Sequence, residues 1–318
     1  MPISLSLEEL NVKVEKQNWP AHKPEWFRMR LPSAAARFGA VQKTISESRL
    51  HTVCEEAKCP NIGECWSTGT ATFMVLGDTC TRGCRFCAVA KAAKGRELDG
   101  EEPAKMALTV REWNETWKLD YIVITSVDRD DLPDQGANHF AECVRQVKKM
   151  NPGVIVELLI PDFRGERGLL EIVATSGAEV IGQNIETVER LTSIRDRRAG
   201  YQQTLDVLRM LKEINPNLFT KSAIMVGLGE TFDEVSSTMD DLRDVGVDFL
   251  AIGQYLRPSL RQIEIVEYVH PSVFDNYEKL AMQKGFKYAA CGPLVRSSYK
   301  AGEYFLKNII SKQVSVTS

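Results

Sequence analysis

No apolar run in these 318 residues approaches the roughly 18–20 residues that a membrane-spanning helix needs. The most apolar stretch, 154–161, is short and is interrupted by Glu157. An excess of one charge is also missing. Forty basic residues face 43 acidic ones for a net charge of -3, without the concentrated basic face of a nucleic-acid binder. The amino terminus has no apolar signal-peptide core, and it carries Glu8, Glu9 and Glu15 where an organelle transit peptide would be poor in acids. The chain is therefore expected to be cytoplasmic, with neither a membrane nor a nucleic acid as partner. In a reducing compartment its eight cysteines are not a disulfide framework, which leaves metal or redox chemistry as their leading use.

Internal repeats, low-complexity tracts and a dinucleotide-type glycine-rich turn are absent as well. What is present from Thr72 onward is an alternation of short apolar runs with amphipathic stretches, the rhythm of βα units on a parallel sheet. Strands are expected at 73–77, 121–125, 154–160, 180–183, 223–226 and 249–252. Phe140, Cys143, Val144, Val147 and Met150 recur at helical spacing, as do Leu205, Leu208 and Leu211. Thr231 and Glu234 form a capping-box pattern for a helix that stops at Gly246. Six such units predict an α/β fold, a partial (β/α)6 TIM-like barrel whose chemistry sits at the carboxyl ends of the strands. Residues 1–71 are expected to form an amino-terminal extension anchored by aromatics such as Trp19, Trp26 and Phe27. The barrel is expected over 72–265 and a carboxyl-terminal extension over 266–318.

Six cysteines fall into two triads. Cys80, Cys84 and Cys87 form C-x3-C-x2-C just after the first barrel strand, and Cys54, Cys59 and Cys65 form C-x4-C-x5-C upstream. A cubane cluster has four irons, so three thiolates leave one iron open to another ligand. Structural zinc prefers four closed ligands, usually from two C-x2-C knuckles, and a second knuckle is missing. Gly83 is expected to keep the loop unobstructed. Cys143, on the apolar face of its helix, is read as packing, and packing is also the default for Cys291.

The C-x3-C-x2-C triad resembles the radical S-adenosylmethionine superfamily, and the upstream triad narrows the likeness to lipoyl synthases. Arg296-Ser297-Ser298-Tyr299 is similar to that family's RSSY signature, with Gly292-Pro293-Leu294-Val295 leading into it. The stretches 125–132, 183–187 and 253–255 are similar too. The resemblance implies radical insertion of two sulfur atoms at carbons 6 and 8 of a protein-bound octanoyl-lysine. It implies two [4Fe-4S] clusters and S-adenosyl-L-methionine, with the auxiliary cluster sacrificed as sulfur donor. The partners it implies are octanoylated lipoyl-carrier proteins, namely the lipoyl domain of 2-oxoacid dehydrogenase acyltransferases and the glycine-cleavage carrier protein. A ferredoxin or flavodoxin would supply electrons. Cys80, Cys84 and Cys87 would hold the radical-generating cluster.

Cys54, Cys59 and Cys65 would hold the auxiliary one together with a serine of the RSSY motif, with Ser298 preferred to Ser297 and Arg296 acting beside it. A hydroxyl oxygen is the weaker partner for such an iron, so its release would begin cluster dismantling. Alternatively the motif caps a helix over 301–310. Candidates for contact with S-adenosylmethionine are Phe86, against the adenine, and Ser126, Asp128, Glu157, Asn184 and Arg195 near strand ends. Glu157 has a competing reading as a structural ion pair inside the barrel. Gly227 and Gly229 approach the adenine or serve a turn, while Arg257 and Arg261 are read as solvated charges. A methylthiotransferase would need a basic tRNA-binding module, and a biotin synthase would lack the upstream triad. A non-catalytic iron–sulfur carrier would not need six strand ends bearing polar groups.

Overall fold

A computed structural model describes residues 23–27, 35–67 and 71–298. The chain enters through α1 (Ala35–Glu47), β1 (His51–Thr52), α2 (Val53–Glu56) and α3 (Ile62–Ser67). The barrel proper follows as β2 (Thr72–Val75), the short pair β3 (Thr79–Cys80) and β4 (Ala90–Lys91), α4 (Glu102–Trp117), β5 (Tyr121–Ser126), α5 (Ala137–Met150), β6 (Ile155–Leu159), α6 (Arg167–Ala174) and β7 (Val180–Gly182). It continues through α7 (Tyr201–Ile214), β8 (Phe219–Val226), α8 (Phe232–Asp244), β9 (Phe249–Gln254), α9 (Pro271–Gln283) and β10 (Tyr288–Gly292). The main sheet runs β1-β2-β5-β6-β7-β8-β9-β10, parallel throughout except for the antiparallel β1 edge. All six expected strands occur in it. The sheet crosses the expected boundaries at 71/72 and 265/266, because β1 and β10 extend it at its two ends.

Side-chain size explains where the cavity lies. Residues facing the barrel interior alternate along each strand. Near the amino-terminal ends, Tyr121, Val123, Val180, Phe219 and Phe249 pack into one buried plug, with the rings of Phe219 and Phe249 stacked at 5.1 Å. Further along, the inward residues shrink to Ala223, Ala251 and Gly253. Space therefore opens at the carboxyl ends of the strands, the catalytic face of such folds. On the outside, Ile122, Ile124, Val156 and Leu158 are buried under the helices.

The helix signals resolve as expected where they were strong. Phe140, Cys143, Val144 and Val147 are buried on α5, and Leu205, Leu208 and Leu211 on α7. Thr231 and Glu234 close a capping box on α8 in which the Thr231 hydroxyl accepts from the Glu234 amide at 3.2 Å. The helix α1 was not expected, although Phe38, Val41 and Ile45 share one helical face and pack into the core, with Phe38 5.2 Å from Trp66. At 23–27 the aromatics anchor as anticipated: Trp26 meets His270 edge-on at 5.2 Å and Phe27 lies 5.3 Å from Tyr268. Trp19, Tyr299 and the helix expected over 301–310 lie outside the described residues.

Candidate functional site

The C-x3-C-x2-C loop is clasped from below by a dense ionic network. Arg82, only 4% exposed, donates to Asp130 at 2.9 and 3.0 Å and to Asp162 at 2.6 and 2.7 Å, and its Nε lies 3.3 Å from Asp128. Burial alone would push this guanidinium's pKa down, but the carboxylates around it hold it above its ordinary value. Asp130 also takes Arg164 and Arg198, and it is held down near 2 against its own desolvation. The Gly83 amide donates to Asp196 at 2.7 Å, and Arg198 pins Asp196 and donates to the Thr81 carbonyl at 2.7 Å. An added Cβ on Gly83 would make only an ordinary contact with Asp196, and the amide bond is one that any residue but proline could donate, so the structure does not show the need for open space expected of this glycine. The Lys91 ammonium caps the Cys84 carbonyl at 2.7 Å. Sequence reasoning missed Arg82, Asp130, Asp162 and Asp196; the acid-rich stretch 128–131 was the available signal.

The sulfurs of this loop receive backbone amides: Arg82 N to Cys80 Sγ at 3.4 Å and Asp196 N to Cys84 Sγ at 3.3 Å. No disulfide joins any of the eight cysteines. Burial raises the Cys80 thiol to about 12 and the Cys84 and Cys54 thiols to about 11, and Cys87 is raised for the same reason. Iron displaces those protons on binding, and amide donors to sulfur are the usual support of cluster thiolates. The donor set therefore fits a cluster. Asp128, beside Cys80, is itself raised to about 6 by burial.

Above the loop a cavity is lined by Cys80, Cys84, Cys87, Phe86, Ser126, Asp128, Asn184 and Arg195. The buried Ser126 Oγ and Gln183 Oε1, both lining it, have no hydrogen-bond partner among the described residues. Unpaired polar atoms on residues that line a cavity suit a polar ligand of S-adenosylmethionine's kind. Gln183 was not among the expected contacts, nor was Glu186. Glu186 faces the same cavity from a left-handed backbone (φ 70°), with its carboxyl raised by burial. Arg195 spends Nη1 on the Ile185 and Gly200 carbonyls and on Thr204 Oγ1. Phe86 packs with Ile194, Leu228 and Tyr255.

Glu157 is not part of this site. It is 2% exposed and sits two residues below Leu159, which does line the cavity. Lys221 Nζ donates to it at 2.7 Å and the Tyr121 hydroxyl donates to its other oxygen. The strand turns it inward one level too deep to meet a ligand at the mouth, which is the competing ion-pair reading. Gly227 also turns away from the cofactor role: a Cβ there would meet the Gln254 amide at 2.0 Å, and its positive φ serves a turn capped by Glu230. Cys143 is fully buried, its thiol pushed well up by desolvation, and Cys291 lies on β10 with its thiol likewise raised.

A second, more apolar groove adjoins the first. Cys54, Cys59 and Cys65 lie along it with Arg296, Ser297 and Ser298, and Phe86, Cys87, Asn184 and Glu186 join it to the radical loop. Two interactions draw the carboxyl-terminal motif to the upstream triad and one ties it to the barrel. Asn61 Nδ2 donates to the Leu294 carbonyl at 2.6 Å and Arg296 lies within electrostatic reach of Cys59, while Ser297 Oγ donates to Asn184 Oδ1, just after β7, at 3.0 Å. Gly253 makes this approach feasible, because a Cβ there would lie 2.0 Å from the Val295 carbonyl. Ser298 faces the groove, and none of the hydrogen bonds that engage Ser297 involves it.

The radical SAM superfamily model matches residues 74–242. The chain is 52% identical over 301 residues to a mitochondrial lipoyl synthase of Culex quinquefasciatus, covering 93% of this chain and 78% of that protein. It is 54% identical over 295 residues to an apicoplast lipoyl synthase of Toxoplasma gondii, covering 91% of this chain but only 54% of that protein's length. Among solved structures, methylornithine synthase superposes with a TM-score of 0.52 at 14% identity, over 80% of this chain and 72% of that one, a likeness of fold alone. The organelle labels of these relatives overturn the expectation of a cytoplasmic protein. Unpaired thiols are kept by a reducing organelle interior as well as by cytosol, so the cysteines could not discriminate. Among the described residues no helix is long and apolar enough to cross a membrane.

Proposed function

The chain belongs to the lipoyl synthase family of the radical SAM superfamily, and on that footing we propose that it inserts sulfur at carbons 6 and 8 of an octanoyl chain carried on a protein lysine, drawing both atoms from an auxiliary cluster. It is a radical SAM sulfurtransferase, and its superfamily carries a [4Fe-4S] cluster with S-adenosylmethionine. In our reading residues 1–71 carry the auxiliary-cluster motif, 72–265 the radical barrel, and 266–318 the motif that completes the second site. The observation that carries the proposal is the groove lined by the whole upstream triad, by Cys87 of the radical loop and by the 296–298 segment. A hydrogen-abstracting site and a sulfur source must both reach one alkyl chain, and this groove is lined by Ala223, Met225, Ala251 and Val295, which suit an aliphatic guest.

When bound, the first cluster and S-adenosylmethionine supply a carbon-centred radical able to take hydrogen from an unactivated carbon. The protein's own part is placement. Cys80, Cys84 and Cys87 would hold that cluster on the ionic scaffold of Arg82, while Ser126, Asp128, Gln183, Asn184 and Arg195 would orient the cofactor from the strand ends. Cys54, Cys59, Cys65 and Ser298 would hold the sulfur-donating cluster as a substrate. Ser298 is favoured over Ser297 because the Ser297 hydroxyl already donates to Asn184. Arg296, with its pKa lowered by burial and countered by Cys59, would balance the charge of that cluster. Octanoylated carrier proteins are the substrates, and a ferredoxin or flavodoxin is the proposed electron source.

The two triads separate by substitution. Replacing Cys80, Cys84 and Cys87 with Ala should abolish 5′-deoxyadenosine formation. Replacing Cys54, Cys59 and Cys65 should leave it measurable while no lipoyl product forms, as read by liquid chromatography of the nucleoside and mass spectrometry of the carrier peptide. Loss of both activities in both variants, with the other cluster still loaded, would refute the division of roles.

A further inference from the structure

A third opening lies beside the radical loop and meets the two cavities described above at Cys87. Cys87 and Ala88 line it, together with the exposed Arg85, Lys91, Leu260 and Arg261. It is framed by the long connection from β9 to α9, which is tied to the loop itself. The Ile263 amide donates to the Arg85 carbonyl at 3.2 Å, and Gln262 Nε2 donates to the Cys87 carbonyl at 3.2 Å. The Arg257 side chain holds the turn from within, donating to the Gln262 and Leu260 carbonyls at 2.8 Å. This bracing presents Leu260 to solvent at 88% exposure, an unusual position for a leucine on a fixed turn.

The charge of the rim is as one-sided as its position. Arg85, Lys91, Arg257 and Arg261 face a single carboxylate, Glu264, which Arg257 approaches at 3.6 Å, although the whole chain is net negative. We propose that this rim is the docking site of an acidic one-electron carrier protein that reduces the radical-generating cluster, an inference that rests on the reading of Cys80, Cys84 and Cys87 as that cluster's ligands. In the reduction step the carrier gives up one electron and is oxidised by one, the cluster gains that electron, and no bond is made or broken. A donor must come close to the cluster without entering the substrate groove. Of the three radical-loop cysteines, Cys87 is the one that lines this opening. An apolar knob in a ring of cations suits an acidic partner surface around a small apolar contact, where charge steers encounter and fixes orientation. The octanoyl carrier is the less favoured occupant, because the apolar groove between the triads shares only Cys87 and Ala88 with this opening.

The test uses the cluster-loaded chain and oxidised flavodoxin, an acidic carrier that binds without passing an electron. Isothermal titration calorimetry on the wild type should show binding that weakens steeply as salt is raised. The double variant Arg85→Glu, Arg261→Glu should bind on the order of tenfold or more weakly, with a flattened salt dependence. In Arg261→Glu, which lies outside the cluster loop, 5′-deoxyadenosine formation driven by dithionite, which needs no docking, should stay at the wild-type rate. Because Arg85 adjoins Cys84, Arg261→Glu alone decides the matter if the double variant loads less iron. Unchanged flavodoxin affinity in Arg261→Glu and in the double variant overturns the proposal. So does a loss confined to the affinity for an octanoylated carrier protein, which would assign the rim to the substrate. A wild type that makes no 5′-deoxyadenosine with dithionite would sink the cluster assignment instead, and the binding data would still judge the surface.

Discussion

At the scale of single residues, the distinction between Ser297 and Ser298 is the sharpest chemical statement available. Two neighbouring hydroxyls face one groove, and one of them is bonded to Asn184. Ser298→Ala should therefore lower lipoyl product per chain by on the order of a hundredfold or more while the three upstream thiols still load iron, since losing even an outer partner of a metal ligand costs about 10–100-fold. Ser297→Ala should cost far less. Mass spectrometry of the carrier peptide beside an iron assay reads both, and near-normal product from Ser298→Ala would transfer the role to Ser297. Spacing left the two serines open because adjacent residues in an irregular segment share every sequence signal. What separates them is a bond to a residue 113 positions away in the chain.

At the scale of elements, β6 shows how a strand reading goes right while a residue reading fails. The run 154–160 announced a strand and Glu157 announced a buried acid in it. Which level of the barrel Glu157 occupies depends on register: it stands beside Val123 and Val180, below the cavity. Its partner Lys221 comes from β8, which does not neighbour β6 in the sheet, and no local pattern links them. Glu157→Gln should destabilise the fold by about 3–5 kcal/mol, the usual cost of stranding one charge of a buried pair. It should leave the affinity of the folded protein for S-adenosylmethionine unchanged. Urea unfolding and equilibrium dialysis read the two quantities separately, and weakened cofactor binding at unaltered stability would restore Glu157 to the site. The six barrel strands were legible because hydrophobic period and β-branching are local. Less legible were β1 and β10, two and five residues long, which exist through their pairing with β2 and β9. The helix α1 was legible in principle, since Phe38, Val41 and Ile45 fall on one face.

At the scale of the whole molecule, a large-residue plug and small inward residues above it open the barrel at one end. The amino- and carboxyl-terminal segments then close around that opening: Trp26 and Phe27 settle on the connection before α9, and Asn61 ties the upstream triad to Leu294. The upstream cysteines Cys54, Cys59 and Cys65 and Cys87 of the radical loop thereby face one groove together with residues 296–298. The central claim is that the upstream triad holds the sulfur that ends in the product. It is tested most directly by reconstituting the clusters with heavy-isotope sulfide, running one anaerobic turnover on an octanoylated carrier peptide with unlabelled sulfur in solution, and weighing the product. A lipoyl peptide carrying heavy sulfur at both positions is the predicted result; a product carrying only light sulfur would contradict it.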